Sequence, residues 1–336
     1  MSQNRDLHAA KRNKKDEFYT QLTDIQSELS HYTDHFRGRV VYCNCDDPRV
    51  SSFFKYFSLN FEFLGLKKLI TTCYKSQDRD GFSQHDSRRA IYLEYEGDKN
   101  GNRYPDPHEI AVKHLNGNGD FRSEECIEML KQSDIVCTNP PFSLFREYVS
   151  QLMEHDKKFL IIGRTTAIDY KEMFPLIKDG LVWLGHGPGS RDMLFDVPDA
   201  YARDMVKTKK EGSSYRLVGG VVKGRLGNAV WFTNLDHSKR HRPLILDKTY
   251  RPDQYSKYDN YDAINVDAVR DIPEDYRGVM GVPSSFLDKF CPEQFEIVGQ
   301  MATTRVTESN FGYPYINGKK KYARILIRHK EATHEN

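Results

Sequence analysis

Apolar runs alternate with helical patterns along the first half of the chain. Residues 16–36 carry apolar positions at helical spacing and predict an amphipathic helix. Apolar runs at 40–45 and 68–74 then flank a phenylalanine-rich helical pattern. A strand, a helix and a second strand within about 35 residues indicate a βαβ unit. The polar stretch 76–110, punctuated by Gly, Asp and Asn, predicts a long excursion or hairpin.

The same alternation continues to residue 185. Helices are predicted over 122–132, 143–156 and 170–180, and strands over 133–139, 157–163 and 181–185. Helices that alternate with apolar strands are typical of a mostly parallel, doubly wound sheet. We therefore predict an α/β fold built on such a sheet.

Periodicity fades beyond residue 185. The stretch 186–228 is rich in Gly, Arg and Lys, residues 229–235 predict one more core strand, and residues 321–329 predict a final strand. We expect residues 1–185 to form a core and 186–228 an insertion. Residues 229–336 would supply the remaining core strand or strands and a carboxyl-terminal region.

The composition indicates a globular chain rich in aromatic rings. Hydrophobic residues make up 38% of the 336 residues and charged residues 29%, and there are 19 Phe and 20 Tyr. Because the formal net charge is only +2, a nucleic-acid partner would have to meet local basic surface. Basic clusters at 8–15, 223–228 and 237–242 offer such surface, or are simply solvated faces.

The spacing of the cysteines and the hydropathy of the chain indicate whether the protein binds a metal and in which cellular compartment it lies. The six cysteines, at 43, 45, 73, 126, 137 and 291, form no C-x-x-C pair and no Cys/His set with zinc spacing. We expect reduced thiols, a cytoplasmic protein and no bound metal. The amino terminus is polar and basic, and no apolar run approaches the roughly 18 residues that a membrane span needs. We therefore expect no membrane partner.

In an open parallel sheet, ligands bind beyond the carboxyl ends of the strands. This chain has polar residues directly after several of its predicted strands. Asp46, Asp47 and Pro48 follow the first strand without a glycine-rich phosphate loop, which leaves room for a nucleotide-like ligand without phosphates. Asp120 offers a carboxylate to an exocyclic amine, and Phe121 offers a ring to a purine. Asp47 and Asp120 also fit as caps of the helices that follow them.

The most specific motif is Asn139-Pro140-Pro141-Phe142, directly after an apolar run. Proline cannot donate to a ladder and keeps the residue before it out of helical conformation, so the strand ends here. An amine conjugated into a heteroaromatic ring attacks poorly until acceptors hold both of its hydrogens. The Asn139 amide oxygen and the Pro140 carbonyl are two such acceptors, and they stabilise the charge that grows on nitrogen. Phe142 offers a face on which a planar base can stack. The electrophile must then be activated already, as a sulfonium methyl group is.

This motif resembles the catalytic motif of amino-group DNA methyltransferases, and the wider chain is similar to the EcoRI-type adenine-specific methyltransferases. The similarity covers KKDEFYTQ (14–21), VVYCNCDDPRVSSFFKYF (40–57), LGLKKLI (64–70), GDFRS (119–123), SDIVCTNPPFSLFREY (133–148), KKFLII (157–162), YDNYDAINV (258–266) and GVMGVP (278–283). The resemblance implies a Rossmann-like, S-adenosylmethionine-dependent methyltransferase sheet with added target-recognition segments. It also implies methyl transfer from S-adenosylmethionine to the exocyclic N6 amine of adenine in duplex DNA.

The resemblance further implies roles for individual residues. Phe18, Tyr19 and Thr20 would contact the methionine end of S-adenosylmethionine. The cofactor pocket would be lined by Asp46, Asp47 and Pro48. The adenine of the cofactor would be held by Asp120 and Phe121. The catalytic motif, Asn139, Pro140, Pro141 and Phe142, would receive an adenine flipped out of the duplex. Trp231 or Phe232 is a candidate for the other side of that base, although either also fits the core. Many relatives in the broader superfamily hold the cofactor ribose with an acidic residue after the second strand, where this chain has Tyr74 and Lys75.

The expected partner is double-stranded DNA, bound by a monomer, with a cognate restriction endonuclease as a functional rather than physical partner. Residues 186–228 and parts of the carboxyl-terminal region hold side chains of the kind that read bases in the major groove, and the resemblance suggests GAATTC as the site. Two alternatives remain. The motif also suits methylation of a glutamine side chain in a protein, and the chain could be a DNA-binding relative without catalysis.

Overall fold

The computed structural model describes residues 19–45, 51–74, 90–102, 105, 109–187, 191–197 and 199–330. Backbone contacts divide the chain into two compact units, Met1–Thr165 with Ser190–Leu235 and Thr166–Gly189 with Asp236–Asn336. Among the described residues, no helix is long and apolar enough to cross a membrane.

The strands are β1 (Tyr19–Thr20), β2 (Val40–Cys43), β3 (Lys68–Thr72), β4 (Ile91–Tyr95), β5 (Ala111–His114), β6 (Ile135–Thr138), β7 (Lys158–Arg164), β8 (Trp183–Leu184), β9 (Arg191–Asp196), β10 (Tyr215–Val218), β11 (Val221–Thr233), β12 (Ile264–Asn265), β13 (Met280–Val282), β14 (Phe295–Met301), β15 (Tyr315–Ile316), β16 (Lys319–Lys320) and β17 (Arg324–His329). The helices are α1 (Leu22–Leu29), α2 (Ser52–Leu59), α3 (Phe61–Leu64), α4 (Glu124–Gln132), α5 (Phe145–Glu154), α6 (Phe174–Lys178) and α7 (Asp199–Thr208).

The first unit is built on a sheet with the strand order β1-β9-β11-β7-β6-β2-β3-β4-β5, to which β10 adds as a partner of β11. The four central strands, β7, β6, β2 and β3, run parallel. Antiparallel strands extend the sheet on both sides. The predicted parallel core is therefore confirmed, and it forms the centre of a mixed sheet.

Both faces of the central strands are covered, as a doubly wound sheet requires. All four positions of β2 and of β6 are buried, which explains their continuous apolar runs. On one face, Val41 packs in a core cluster with residues of α1, α2 and α3. On the other face, Phe232 of β11 packs against Phe145 of α5, with ring centroids 5.4 Å apart.

The stretch after residue 185 is more regular than its sequence predicts. Residues 186–228 were expected to lack periodic structure, but they include β9, α7, β10 and the first half of β11. Residues 216–218 of β10 are exposed, and residues 221–228 of β11 are exposed or half-buried apart from Gly224, so charged residues and glycines interrupt the apolar pattern there. The polar stretch 76–110 includes β4 and pairs it with β5 as an antiparallel hairpin, as predicted.

The second unit has its own sheet, in the order β12-β13-β17-β14. The predicted final strand is confirmed as β17, which pairs antiparallel with β13 and β14. A core cluster that includes Tyr258, Met301 and Leu326 packs in this unit. The helix predicted over 170–180 is shorter, at Phe174–Lys178, and Pro175 occupies its first turn.

Candidate active site

The candidate site lies where the connections of the parallel sheet change direction. From β2 the chain continues to β3 on one side, and from β6 it continues to β7 on the other side, although β2 and β6 are neighbours. In open α/β sheets, ligands bind outside the carboxyl ends of the strands at such a switch point. Asn44 and Cys45 follow β2 there, and Asn139 follows β6.

Asn44 joins the two strand ends. Its backbone carbonyl accepts a hydrogen bond from the Thr138 hydroxyl, and its side-chain oxygen accepts one from the Tyr148 hydroxyl of α5. Asn44 is 4% exposed and Tyr148 is 0% exposed. A tyrosine hydroxyl is a donor at neutral pH, and burial raises the pKa of Tyr148 still further above that range. Sequence reasoning missed Asn44, although an amide directly after a buried strand is a signal that could have found it.

The Asn139-Pro140-Pro141-Phe142 motif occupies the exit from β6, as predicted. Asn139 is 7% exposed and Pro140 is buried, whereas Pro141 and Phe142 are half-buried. Pro141 has φ −57° and ψ 121°, and its carbonyl accepts from the Leu144 backbone N–H at 3.0 Å to form the short helical turn Phe142–Leu144. The motif therefore runs from a buried amide to a ring that is partly open to solvent.

A cation lies against the ring of Phe142. The guanidinium carbon of Arg164, the last residue of β7, is 5.2 Å from the centroid of that ring. A guanidinium at this distance attracts the negative face of an aromatic ring. The sequence did not identify Arg164, because its position beside Phe142 depends on β6 and β7 being neighbours.

The Asp120-Phe121 loop is pressed against the end of β3. A Cβ on Gly119 would lie 2.2 Å from the carbonyl oxygen of Cys73, the residue that follows β3, and Gly119 has φ +74°. Only glycine permits this approach and this conformation together. The loop thus reaches the carboxyl edge of the sheet on the β3 side of the switch point.

Asp120 already accepts from a neighbouring arginine. Arg122 donates through Nε to Asp120 Oδ1 at 2.9 Å and through Nη2 to Oδ2 at 2.8 Å. Arg122 also donates to Glu147 at 2.7 Å. A carboxylate has further lone pairs, so Asp120 can still accept from a ligand. The alternative of a helix cap is wrong, because the side chain of Ser123, not that of Asp120, accepts from the first turn of α4.

Phe121 connects this loop to the rest of the site. Its ring meets that of Tyr148 edge to face, with centroids 5.0 Å apart, and its carbonyl accepts from Gln151 at 3.1 Å. Asp120, Phe121 and the Asn139–Phe142 motif are therefore brought together around α5.

Other predicted residues lie elsewhere or outside the described residues. Tyr19 and Thr20 form β1, which pairs with β9 at the edge of the sheet and contacts α2. Phe18, Asp46, Asp47 and Pro48 lie outside the described residues, so their role as a cofactor pocket stays a prediction.

Trp231 and Phe232 both belong to the core, so the suggestion that either closes over a flipped base is wrong. They are 2% and 0% exposed. The Trp231 ring packs edge-on against Phe53 with centroids 6.1 Å apart, and Phe232 packs on the other face of the sheet. Adjacent strand residues point to opposite faces, and both faces are covered here.

Within the part of the chain that the structure describes, no group of three or more His, Cys, Asp or Glu residues could hold a metal ion. All six cysteines are free thiols, and five of them are buried.

Comparisons with known proteins match nearly the whole chain. Residues 6–330 match the family described as adenine-specific methyltransferase EcoRI. The chain is 49% identical to the type II methyltransferase M.EcoRI of Escherichia coli over 97% of each protein. It is 36% identical to the type II methyltransferase M.MpnI of Mycoplasma pneumoniae and 34% identical to M.MgeORF184P of Mycoplasma genitalium, again over 97% of this chain. No solved structure matches it significantly. With this coverage and identity, the chain belongs to the EcoRI-type family of adenine-specific methyltransferases.

Proposed function

We propose that this enzyme transfers a methyl group from S-adenosylmethionine to the N6 amine of an adenine that has been flipped out of duplex DNA. The observation that carries the proposal is the position of Asn139, a buried amide at the carboxyl end of β6 beside the switch point. It is flanked by a buried proline and a partly exposed ring.

The residues of the motif supply what an exocyclic amine lacks. The Asn139 side-chain oxygen accepts one amine hydrogen and the Pro140 carbonyl accepts the other, which favours a pyramidal nitrogen with an available lone pair. Both acceptors are fixed before the reaction, so they stabilise the growing positive charge without reorganisation. When bound, S-adenosylmethionine supplies an activated sulfonium methyl group. The chain's own contribution is then positioning the amine in line with that methyl group.

The aromatic part of the motif suits a planar base. Phe142 is half-buried, so one part of the ring packs on the protein while the rest remains available for stacking. Base–aromatic stacking is worth about 1–3 kcal/mol. Arg164 supports the ring from β7. An amine in a paired duplex cannot reach a buried donor, so the base must leave the stack.

The loop at 119–121 fits the adenine of the cofactor. Asp120 can accept from the exocyclic amine of that adenine while it stays bound to Arg122, and Phe121 is the adjoining apolar surface. The residues fit a nucleoside without phosphates, because no glycine-rich phosphate loop follows β2 in the sequence. Phe18, Tyr19, Thr20 and residues 46–48 are proposed for the rest of the cofactor, as in the family resemblance.

The proposal extends to the DNA sequence that the enzyme recognises and to its biological setting. We infer GAATTC as the recognition sequence, a monomer as the active form, a cytoplasmic location and a cognate restriction endonuclease. Residues 186–228 and the carboxyl-terminal region are proposed to read the sequence.

Product analysis tests the proposed function. The enzyme is incubated with methyl-labelled S-adenosylmethionine, unmethylated bacterial DNA and a glutamine-containing peptide together. We expect label in N6-methyladenine after the DNA is digested to nucleosides, and no label in the peptide. Label in the peptide alone would instead support glutamine methylation. No label in either would support a relative that has lost catalysis.

A further inference from the structure

The β10–β11 hairpin carries apolar side chains at an exposed tip. Leu217, Val218 and Val221 are 50%, 48% and 56% exposed. Gly219 and Gly220, with φ +57° and +81°, form the two-residue turn between the strands. Val218 and Val221 pair with each other directly beside the turn, so their side chains form an exposed apolar patch whose removal from water is favourable.

The hairpin projects past the edge of the sheet that carries the candidate site. Ala229 of β11 pairs with Arg164, the last residue of β7, so residues 221–228 continue beyond the end of β7. At strand geometry those residues span about 25 Å, and two strand spacings of about 4.8 Å separate β11 from β6. The tip therefore extends from the side of the sheet on which Asn139 lies.

One face of the hairpin anchors it to the first unit. Tyr215 is buried, and Val222 packs against the main core cluster. The other face carries Val218, which pairs with Val221, and Arg216, which pairs with Lys223, whereas Leu217 pairs with Val222 on the anchoring face. Lys223 also forms an ion pair with Asp196 of β9, which holds the base of the hairpin to the sheet.

Charge around the hairpin is concentrated relative to the whole chain. Residues 207–225 contain six Lys or Arg and a single Glu, a net charge of +5, whereas the full chain carries +2. Residues 217–222, which extend past the pairing of β11 with β9, are apolar, and the cations lie behind them, so this end of the hairpin is complementary to a polyanion that has an apolar interior. Duplex DNA has both properties, and its major groove admits a two-stranded β-ribbon.

We propose that the β10–β11 hairpin enters the DNA and that Val218 and Val221 act as an apolar wedge beside the target adenine. Apolar side chains inserted at a base step partly unstack it, and here they would fill the space that the flipped base vacates. Arg216 and its neighbouring cations would bind phosphates. This inference rests on the proposed function, because a base has to leave the stack for the wedge to matter.

A double substitution at the tip tests the wedge. Val218→Thr with Val221→Thr keeps the branched shape and the strand preference but replaces a methyl group with a hydroxyl at each position. The matched control is Val112→Thr, an exposed strand valine (57%) on β5, a strand at the opposite edge of the sheet. Single-turnover methyl transfer is measured on a duplex with a paired target adenine and on one whose target adenine is mispaired.

We expect the double variant to transfer methyl about 10- to 100-fold more slowly to the paired duplex, since opening a base step costs a few kcal/mol. On the mispaired duplex most of the loss should disappear, because that base already leaves the stack readily. The Val112→Thr control should match the unsubstituted enzyme on both duplexes.

Four other outcomes would overturn the wedge. Equal rates for the double variant and the unsubstituted enzyme on the paired duplex would do so while leaving the proposed function intact. An equal loss on both duplexes would show that the tip does not assist base-pair opening. Unchanged kinetics with a shift from dimer to monomer in sedimentation would assign the tip to a second copy of the chain. If the unsubstituted enzyme labels neither duplex, the proposed function fails and the wedge fails with it.

Discussion

The rings of Phe121 and Tyr148 meet edge to face, with centroids 5.0 Å apart and planes inclined at 72°. Phe121 belongs to the loop proposed to hold the cofactor adenine, and Tyr148 lies on the helix that follows the proposed catalytic motif. Through its hydroxyl, Tyr148 also donates to Asn44 at the end of β2. One side chain therefore links the proposed cofactor residues to the ends of both strands at the switch point.

Removing the Tyr148 hydroxyl should weaken cofactor binding. Tyr148→Phe keeps the contact with Phe121 but takes a donor from the buried Asn44 oxygen, which costs about 1–3 kcal/mol in the free energy of unfolding. Denaturant unfolding and calorimetric titration with S-adenosylmethionine measure the two effects. Tyr32→Phe is the control, because Tyr32 is also buried and donates to Glu28 at 3.0 Å outside the site. We expect both variants to lose stability, and only Tyr148→Phe to lose affinity for S-adenosylmethionine. If both variants bind S-adenosylmethionine equally well, Tyr148 does not link the cofactor residues to the strand ends.

The close approach of Gly119 to β3 should be required for the Asp120 loop. In Gly119→Ala the new methyl group would meet the Cys73 carbonyl at 2.2 Å in addition to the cost of a positive φ. We expect a loss of more than about 1 kcal/mol in stability and a clear fall in S-adenosylmethionine affinity. Gly101→Ala has a similar φ, +81°, with open space around it, so it isolates the cost of the backbone conformation. If the two variants bind S-adenosylmethionine equally well, the loop does not depend on this contact.

The Asp120 carboxylate should act on cofactor binding more than on turnover. Asp120→Asn removes the charge from the pair with Arg122 and weakens acceptance from the cofactor amine. Because hydrogen bonds to charged groups contribute about 1.5–3 kcal/mol, the KM for S-adenosylmethionine should rise about tenfold or more. Glu147→Gln is the control, since Glu147 contacts Arg122 from a more exposed position. A fall in kcat at unchanged KM would place Asp120 in the reaction itself.

Asn139 should be needed for the chemical step and not for cofactor affinity. Asn139→Ala removes one of two proposed acceptors, and loss of a single preorganised group of this kind typically lowers turnover about 10²- to 10³-fold. Single-turnover rates and calorimetric titration separate the two quantities. Ser143→Ala, an exposed position just after the motif, serves as the control and should leave both unchanged. Near-normal turnover in Asn139→Ala would remove that residue from the mechanism.

The sequence predicts the centre of the fold better than its edges, for a physical reason. Strands β2 and β6 are buried on both faces and so appear as continuous apolar runs. In contrast, most residues of β10 and of the first half of β11 are exposed or half-buried, and their Arg, Lys and Gly residues conceal the strand pattern. Local composition therefore predicted an irregular segment where the chain forms a long ribbon.

Within the site, the sequence identified residues whose position is set by their neighbours along the chain. It missed residues whose contacts depend on which strands lie side by side. The prolines after Thr138 end β6 by their own covalent geometry, so the position of the motif was predictable. Arg164 reaches Phe142 only because β7 lies beside β6, and Asn44 reaches Tyr148 only because α5 packs near the end of β2. Trp231 looked available because its strand is aromatic, but the covered sheet leaves it in the core.

The most direct test of the account is methyl transfer to a short duplex that contains GAATTC. The enzyme and its Asn139→Ala variant are each given labelled S-adenosylmethionine and one of three duplexes: the unmodified site, a scrambled site, or a site already methylated at the adenine N6 position. We expect label from the unsubstituted enzyme on the unmodified site alone, with the Asn139→Ala variant nearly inactive. Equal label on the scrambled duplex would contradict the inferred recognition sequence. Equal label with Asn139→Ala, or on duplexes whose adenine N6 is already methylated, would contradict the proposed reaction at that amine.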